Sequence, residues 1–208
     1  MSVVPKSRPE GLSFGNYTAS TTLQGVGFWP RAAGRLIDFL VHVGVGVVAG
    51  VAVVFAVVFY AASSAQPAEP LIAKLGATSL STFVFSLLGA LGYQTICEGI
   101  SGSSLGKRVL GFTVVQEDSS PCRMRSAFIR SLSYYLDSLF LGIVAYLAMQ
   151  RTSMQQRHGD GWAHTVVVQR KKLAPERQPG MPRFLGGLLL GLLFDGAMIT
   201  ASVAAKLF

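Results

Sequence analysis

Polar and apolar positions in this chain fall into long blocks rather than the short periods of a soluble fold. Residues 1–27 are rich in Ser, Thr and Gly, contain Pro5 and Pro9, and follow neither a helical nor a strand period. They read as a flexible tail. Phe28, Trp29 and Pro30 then mark a membrane interface, because aromatic rings favour the headgroup layer. Apolar runs follow from Leu36 to Ala62, Gly76 to Cys97, Ser131 to Met149 and Phe184 to Phe208. The first, second and fourth are long enough for helices that cross about 30 Å of hydrocarbon. The third is barely long enough and contains Asp137.

Two short Val-rich stretches, Val109–Val115 and Thr165–Gln169, have the β-branched composition of strands and end in polar residues. If they pair, they lie on one side of a membrane, and Lys and Arg positions test that. With all four runs crossing and an internal N-terminus, positive charge divides almost evenly between the sides. If the third run enters and returns, only Lys74 and Lys206 of the 18 Lys and Arg residues fall outside. The positive-inside rule favours the second arrangement. A carboxylate in a marginal span points the same way.

The expected fold is therefore an all-α polytopic membrane protein. It has three spanning helices, a re-entrant or interfacial helical hairpin from about Ser126 to Met149, and a two-stranded cytoplasmic β-ribbon. The parts are a tail (1–27), a membrane domain (28–170), a basic linker (171–183) and a further C-terminal spanning helix (184–208). The expected location is a bacterial inner membrane with the N-terminus cytoplasmic.

Composition agrees. Only 13% of residues are charged, against about 25% in soluble domains, and mean hydropathy is +0.47. The net charge of +8 lies outside the apolar runs, so anionic headgroups are the expected partner rather than nucleic acid. Cys97 and Cys122 form no CxxC pair and read as reduced structural thiols. The first thirty residues hold no apolar stretch, so no cleavable signal is expected.

Chemistry concentrates in a few places. Arg31, Arg35, Asp38, His42, Gly46 and Gly50 recur at helical spacing and share one face. One reading is a charged vestibule in which Asp38 binds a cation or proton and His42 relays. The other is an anchor: the arginines reach the headgroups, Asp38 pairs with one of them, and the glycines admit a neighbouring helix. Asp195 follows the Gly187–Gly191 pair and needs a partner in the bilayer. His42, Ser86, Gln94 or a residue of another subunit can supply it. Glu98 is expected to form a structural ion pair with Lys107 or Arg108. His158, Asp160 and His164 lack a metal-ligand spacing, and no cofactor is expected. Gly102–Lys107 lacks the spacing and setting of a phosphate loop, and no catalytic triad or HExxH is present, so enzyme chemistry is not expected.

The segments WPRAAGRLID (Trp29–Asp38), Glu98 with SLGKRVLGFTVV (Ser104–Val115), and DGWAHTVVV (Asp160–Val168) together resemble the RDD family of bacterial membrane proteins. The resemblance covers about residues 28–170. It implies that the arginine and two aspartates naming that family are Arg31, Asp38 and Asp160. It assigns Glu98, Ser104, Gly106, Lys107, Arg108, Gly111 and Thr165 to the family motif. The chain departs from the family in having Ser104 where Thr is usual and Gly159 where His usually precedes the second Asp. What the resemblance implies for function is ion or ligand transport. Three helices are too few to enclose a path, so transport requires a homo-oligomer. The alternative is an accessory or assembly subunit that uses its glycine-patterned faces to hold a larger membrane complex.

Overall fold

The computed structural model describes residues 23–64, 67–76 and 79–207. The chain forms α1 (Phe28–Ser64), α2 (Glu69–Gly76), α3 (Leu80–Ser101), α4 (Leu105–Val109), β1 (Phe112–Gln116), α5 (Met124–Asp137), α6 (Ile143–Gln150), α7 (His158–Trp162), β2 (Thr165–Gln169) and α8 (Met181–Leu207). Among the described residues three helices, α1, α3 and α8, are long and apolar enough to cross a membrane.

Helix α1 starts eight residues before the first apolar run because Pro30 is tolerated in a first turn, where its missing N–H costs no bond. At 37 residues it is about 55 Å long, so it extends beyond any hydrocarbon layer and carries Arg31 and Arg35 in its outer turns. Helix α3 begins at Ser79, whose hydroxyl accepts the Thr82 N–H at 3.3 Å. It stops at Gly102, which turns left-handed at φ +68°.

Helices α3 and α8 pack along most of their length, and glycines on both make that possible. A Cβ at Gly92 would lie 2.1 Å from the Phe194 ring, and one at Gly191 would lie 2.9 Å from the Cys97 sulfur. Gly187 faces Ile100 of α3 in the same interface. Close approach of this kind lets dispersion hold helices together where lipid removes the hydrophobic driving force. The other glycine pair differs: a Cβ at Gly46 would lie 3.9 Å from Ile199, an ordinary contact, and one at Gly50 would meet nothing within 4 Å. Within this chain, then, Gly46 and Gly50 do not form the close helix contact their spacing predicts.

β1 and β2 pair antiparallel, from Phe112 opposite Gln169 to Gln116 opposite Thr165. Two strands alone are marginal. Here Val114 and Val167 pack with Val26, Cys122 and Ala127 on one face, while Val115, Val166, Val168 and Leu173 fill the other. The edge is extended too: the Val26 N–H donates to the Val167 carbonyl at 2.8 Å, and Gly25 bridges to Val168.

Three expectations need correction. The expected tail runs to residue 27, but Gly25 and Val26 lie on the sheet edge, where their backbone groups find partners; residues 1–22 lie outside the described residues. The first strand begins at Phe112, since Val109 ends a helical turn and Gly111 (φ +74°) reverses the chain before it. The basic linker is shorter than expected: it holds turns at Arg170–Lys172 and Pro175–Arg177, buries Leu173, and gives way to α8 at Met181.

The third apolar run is not a single helix. It divides into α5 and α6 at the 3-10 turn Leu139–Gly142, where Phe140 (φ 51°) and Gly142 (φ 84°) are both left-handed.

Candidate functional site

The sheet and the short helices α4 and α7 sit at one end of the three-helix bundle. Contacts place them there: Arg31 of α1 reaches Asp160, Glu98 of α3 reaches Arg130, and Gly187 near the start of α8 meets Ile100. At the far end Lys206 donates to the Leu75 carbonyl at 3.0 Å.

A continuous chain of charged side chains ties the sheet end together, and its centre is Arg130 on α5, only 1% exposed. Its Nε donates to Glu98 at 3.0 Å, and its Nη1 donates to Asp160 at 2.5 Å and to the Thr165 hydroxyl at 2.8 Å. One guanidinium therefore joins α3, α5, α7 and β2. Asp160 also accepts from Arg31 and from the Arg157 backbone N–H at 3.2 Å. Arg31 then clamps the start of the chain, donating to the carbonyls of Val26 at 2.7 Å and Gln155 at 2.8 Å. Burial alone would raise the Asp160 carboxyl, but Arg130, Arg157 and Arg31 outweigh it and hold it below the ordinary carboxylate range. Burial likewise lowers Arg130, yet Asp160 and Glu98 carry it above its ordinary value. Both groups stay charged.

Glu98 receives Lys107 at 2.8 Å as well as Arg130, and Lys107 extends to Asp38 at 4.0 Å. Asp38 is 3% exposed and accepts from the Ser104 hydroxyl at 2.6 Å, the Gly106 N–H at 2.8 Å and Tyr93 at 3.3 Å. A carboxylate on α1 thus caps the first turn of α4. That geometry explains the glycine of the motif: a Cβ at Gly106 would lie 2.0 Å from the Gly34 carbonyl oxygen. The Ser104 hydroxyl makes the bond to Asp38 at the position where the family usually has threonine.

Several partners differ from those the sequence predicts. Asp38 pairs with neither Arg31 nor Arg35, because the α4 turn reaches it first. Glu98 does take Lys107, one of its two expected partners, whereas the other, Arg108, lies 4.9 Å over the Phe184 ring. His158 approaches Asp137 at 3.3 Å while Asp160 faces the arginines, so these neighbours belong to separate pairs. The departure at Gly159 has a packing basis: a Cβ there would lie 2.6 Å from that of Ser133, on the helix α7 packs against. Arg130, which the sequence suggests reaches headgroup level at the start of the third run, is instead buried at the centre of the network. The available signal was the buried face of α5, where Ala127, Ser131 and Ser133 are small residues surrounding one arginine.

Deeper in the bundle lies a second polar group. His42 Nδ1 is 3.0 and 2.9 Å from the two Asp195 carboxyl oxygens, and its Nε2 is 3.0 Å from the Ser86 hydroxyl. All three spanning helices contribute. Gly89 makes room, since a Cβ there would lie 2.4 Å from Asp195. Gln94 turns instead towards Lys107, at 3.4 Å.

Between α1 and the α3–α5 wall runs an open cleft of about 680 Å³. It exists because α1 packs on α4 and α8 but hardly touches α3. Arg31, Arg35, Asp38, Arg130 and Asp137 line its sheet end, and His42 and Ser86 its deep end.

An apolar three-helix bundle closed at one end by a small sheet and a buried ion-pair network defines a polytopic membrane protein. The RDD family profile matches residues 26–164, and the chain belongs to the RDD family. No curated protein and no solved structure matches it significantly. The Arg31, Asp38 and Asp160 of the family motif are connected, through Arg130, Glu98 and Lys107, into one network.

Proposed function

We propose that this chain moves a proton or small cation across a bacterial inner membrane, as a homo-oligomer and without enzyme chemistry. The observation behind this reading is the His42–Asp195–Ser86 group, about 20 Å from the sheet end by helix rise, with His42 and Ser86 at the deep end of the cleft. A carboxylate at such depth is costly in lipid, and a histidine against it forms a pair that can hold or release a proton. The earlier vestibule reading changes in one respect. Asp38 is occupied as a cap and its bonds leave it a structural part, so His42 and Asp195 are the proposed carriers.

The sheet end is the proposed cytoplasmic side. Lys74 and Lys206 lie at the opposite end, and the other Lys and Arg among the described residues belong to the sheet-side segments. Met124, Phe128, Leu132 and Leu136 form an exposed stripe at four-residue spacing along α5, which suits a helix lying in the interface with anionic headgroups around it. Both native thiols are buried, and burial pushes Cys122 up to about 12, so neither is expected to react with a membrane-impermeant maleimide at neutral pH. Cysteines introduced at Glu117 and Lys171 are expected to label from one side of oriented vesicles, and one at Lys74 from the other. Labelling of Glu117 and Lys74 positions from the same side would overturn this topology.

Proteoliposomes containing a pH-sensitive dye test the transport reading. Flux through the wild type is expected to fall at least tenfold in Asp195→Asn and His42→Gln variants that still elute as folded protein. Absence of flux, or flux indifferent to both changes, ends the proposal. The accessory-subunit alternative draws on Gly50, which faces open space within the chain. Stoichiometric co-purification with a larger membrane protein, abolished by Gly50→Leu, would favour it.

A further inference from the structure

The ion-pair network leaves one cation over. Five cations, Arg31, Arg35, Lys107, Arg130 and Arg157, line the cleft. Four buried carboxylates answer them: Asp38, Glu98, Asp137 and Asp160. Every carboxylate has an ion-pair partner, Asp38 and Glu98 in Lys107, Glu98 and Asp160 in Arg130, and Asp137 in His158 and Arg157, although Asp137 Oδ2 accepts no hydrogen bond. Among the described residues none of them forms an ion pair with Arg35, which acts on Glu98 only at longer range. Its guanidinium instead lies 3.8 Å over the Tyr134 ring. A guanidinium left over in a partly desolvated cleft favours an anion.

Two further donors support this. Arg130 Nη2 and Ser131 Oγ are buried without a hydrogen-bond partner, and both residues line the same cleft. Their side chains are 1% and 4% exposed. Buried donors of this kind are normally satisfied, so they mark where acceptor oxygens belong.

The rest of the cleft is apolar and open sideways. Leu36, Phe39 and Phe83 line it and are 60%, 59% and 63% exposed, on helices whose outer surfaces meet lipid. Leu87, Ala90 and Leu91 continue this wall from Phe83 towards the sheet end. The volume of about 680 Å³ is within the roughly 300–1,000 Å³ typical of small-ligand pockets. A cationic end and an apolar, laterally open stretch together match a molecule with an anionic head and a hydrocarbon chain.

We propose that the cleft binds an anionic phospholipid from the surrounding bilayer. Its phosphate sits at Arg35, Arg130 Nη2 and Ser131, and part of one acyl chain lies against Phe83, Leu87 and Ala90. Guanidinium forks suit phosphate oxygens better than a point charge does. The site does not depend on proton movement, and a chain with no flux would still bind.

Native mass spectrometry of the full chain in detergent tests this, with phosphatidylglycerol, phosphatidylcholine and inorganic phosphate as probes. Phosphatidylglycerol is expected to bind at least tenfold more tightly than phosphatidylcholine. Arg35→Gln should cut that preference at least fivefold, while Arg35→Lys keeps part of it. Ala90→Trp, which leaves the cations in place and fills the apolar stretch, should weaken phosphatidylglycerol binding at least fivefold. Thermal unfolding checks that each variant is folded. Equal binding of the two lipids, or a preference unchanged in Arg35→Gln, identifies ordinary surrounding lipid and overturns the proposal. So does inorganic phosphate binding as tightly as phosphatidylglycerol, which would make this a free-phosphate site.

Discussion

Replacing Arg130 with methionine is expected to cost about 3 kcal/mol and to remove most folded protein from detergent extracts. The reason is the number of elements that one guanidinium joins. Its bonds to Glu98, Asp160 and Thr165 connect α3, α7 and β2 to α5, all inside the protein. Taking one partner from a buried pair typically costs about 3–5 kcal/mol, because the opposite charge stays buried. The lower end applies here: Glu98 keeps Lys107, and Asp160 keeps Arg31 and Arg157. Arg130→Lys should recover little, since one ammonium nitrogen cannot occupy both positions from which Nε and Nη1 reach Glu98 and Asp160. Fluorescence-detected size exclusion and thermal unfolding measure both effects. A methionine variant that elutes and melts like the wild type would show that the network does not hold the fold.

Gly106→Ala is expected to be comparably damaging although it adds a single methyl group. Its Cβ would stand 2.0 Å from the Gly34 carbonyl oxygen and 3.1 Å from the Asp38 carboxyl carbon. The main obstacle is backbone, so no rotamer change relieves it and α4 must move off α1. Overpacking alone costs about 1–3 kcal/mol. Separation also weakens the Asp38 bonds to Ser104 and to the Gly106 N–H, each worth about 1.5–3 kcal/mol as a bond to a charged group. Gly111→Ala is the control. That position needs φ +74° but has nothing within 4 Å, so only backbone strain of about 1–2 kcal/mol applies. Melting temperatures of the two variants decide the matter: Gly111→Ala proving the more harmful would contradict this account of the α1–α4 contact.

The candidate site was partly legible. Resemblance to the family marked Arg31, Asp38 and Asp160, and helical spacing put Arg31, Arg35, Asp38 and His42 on one face. All four line the cleft. Their partners were less legible. Asp38 reaches across sixty-six residues to Ser104, and Arg31 reaches across 129 to Asp160. Nothing local in the sequence favours those pairings over a bond between Asp38 and an arginine one turn away. His42 stood among the stated possibilities for Asp195, but Ser86 on the other side of the imidazole entered only as an alternative partner for the same aspartate. In the fold it completes the group.

What the chain determined by itself is its membrane character, its three long apolar helices and its paired Val-rich strands. These follow from transfer free energy and backbone preference, which act on each segment largely in isolation. Tertiary structure decided the rest: which glycines pack, that Gly25 and Val26 join the sheet edge, and that Arg130 lies at the centre of the charges. Those outcomes depend on which surfaces meet. A buried charge takes as its partner whatever opposite charge the fold brings within reach, and chain proximity is a poor guide to that choice.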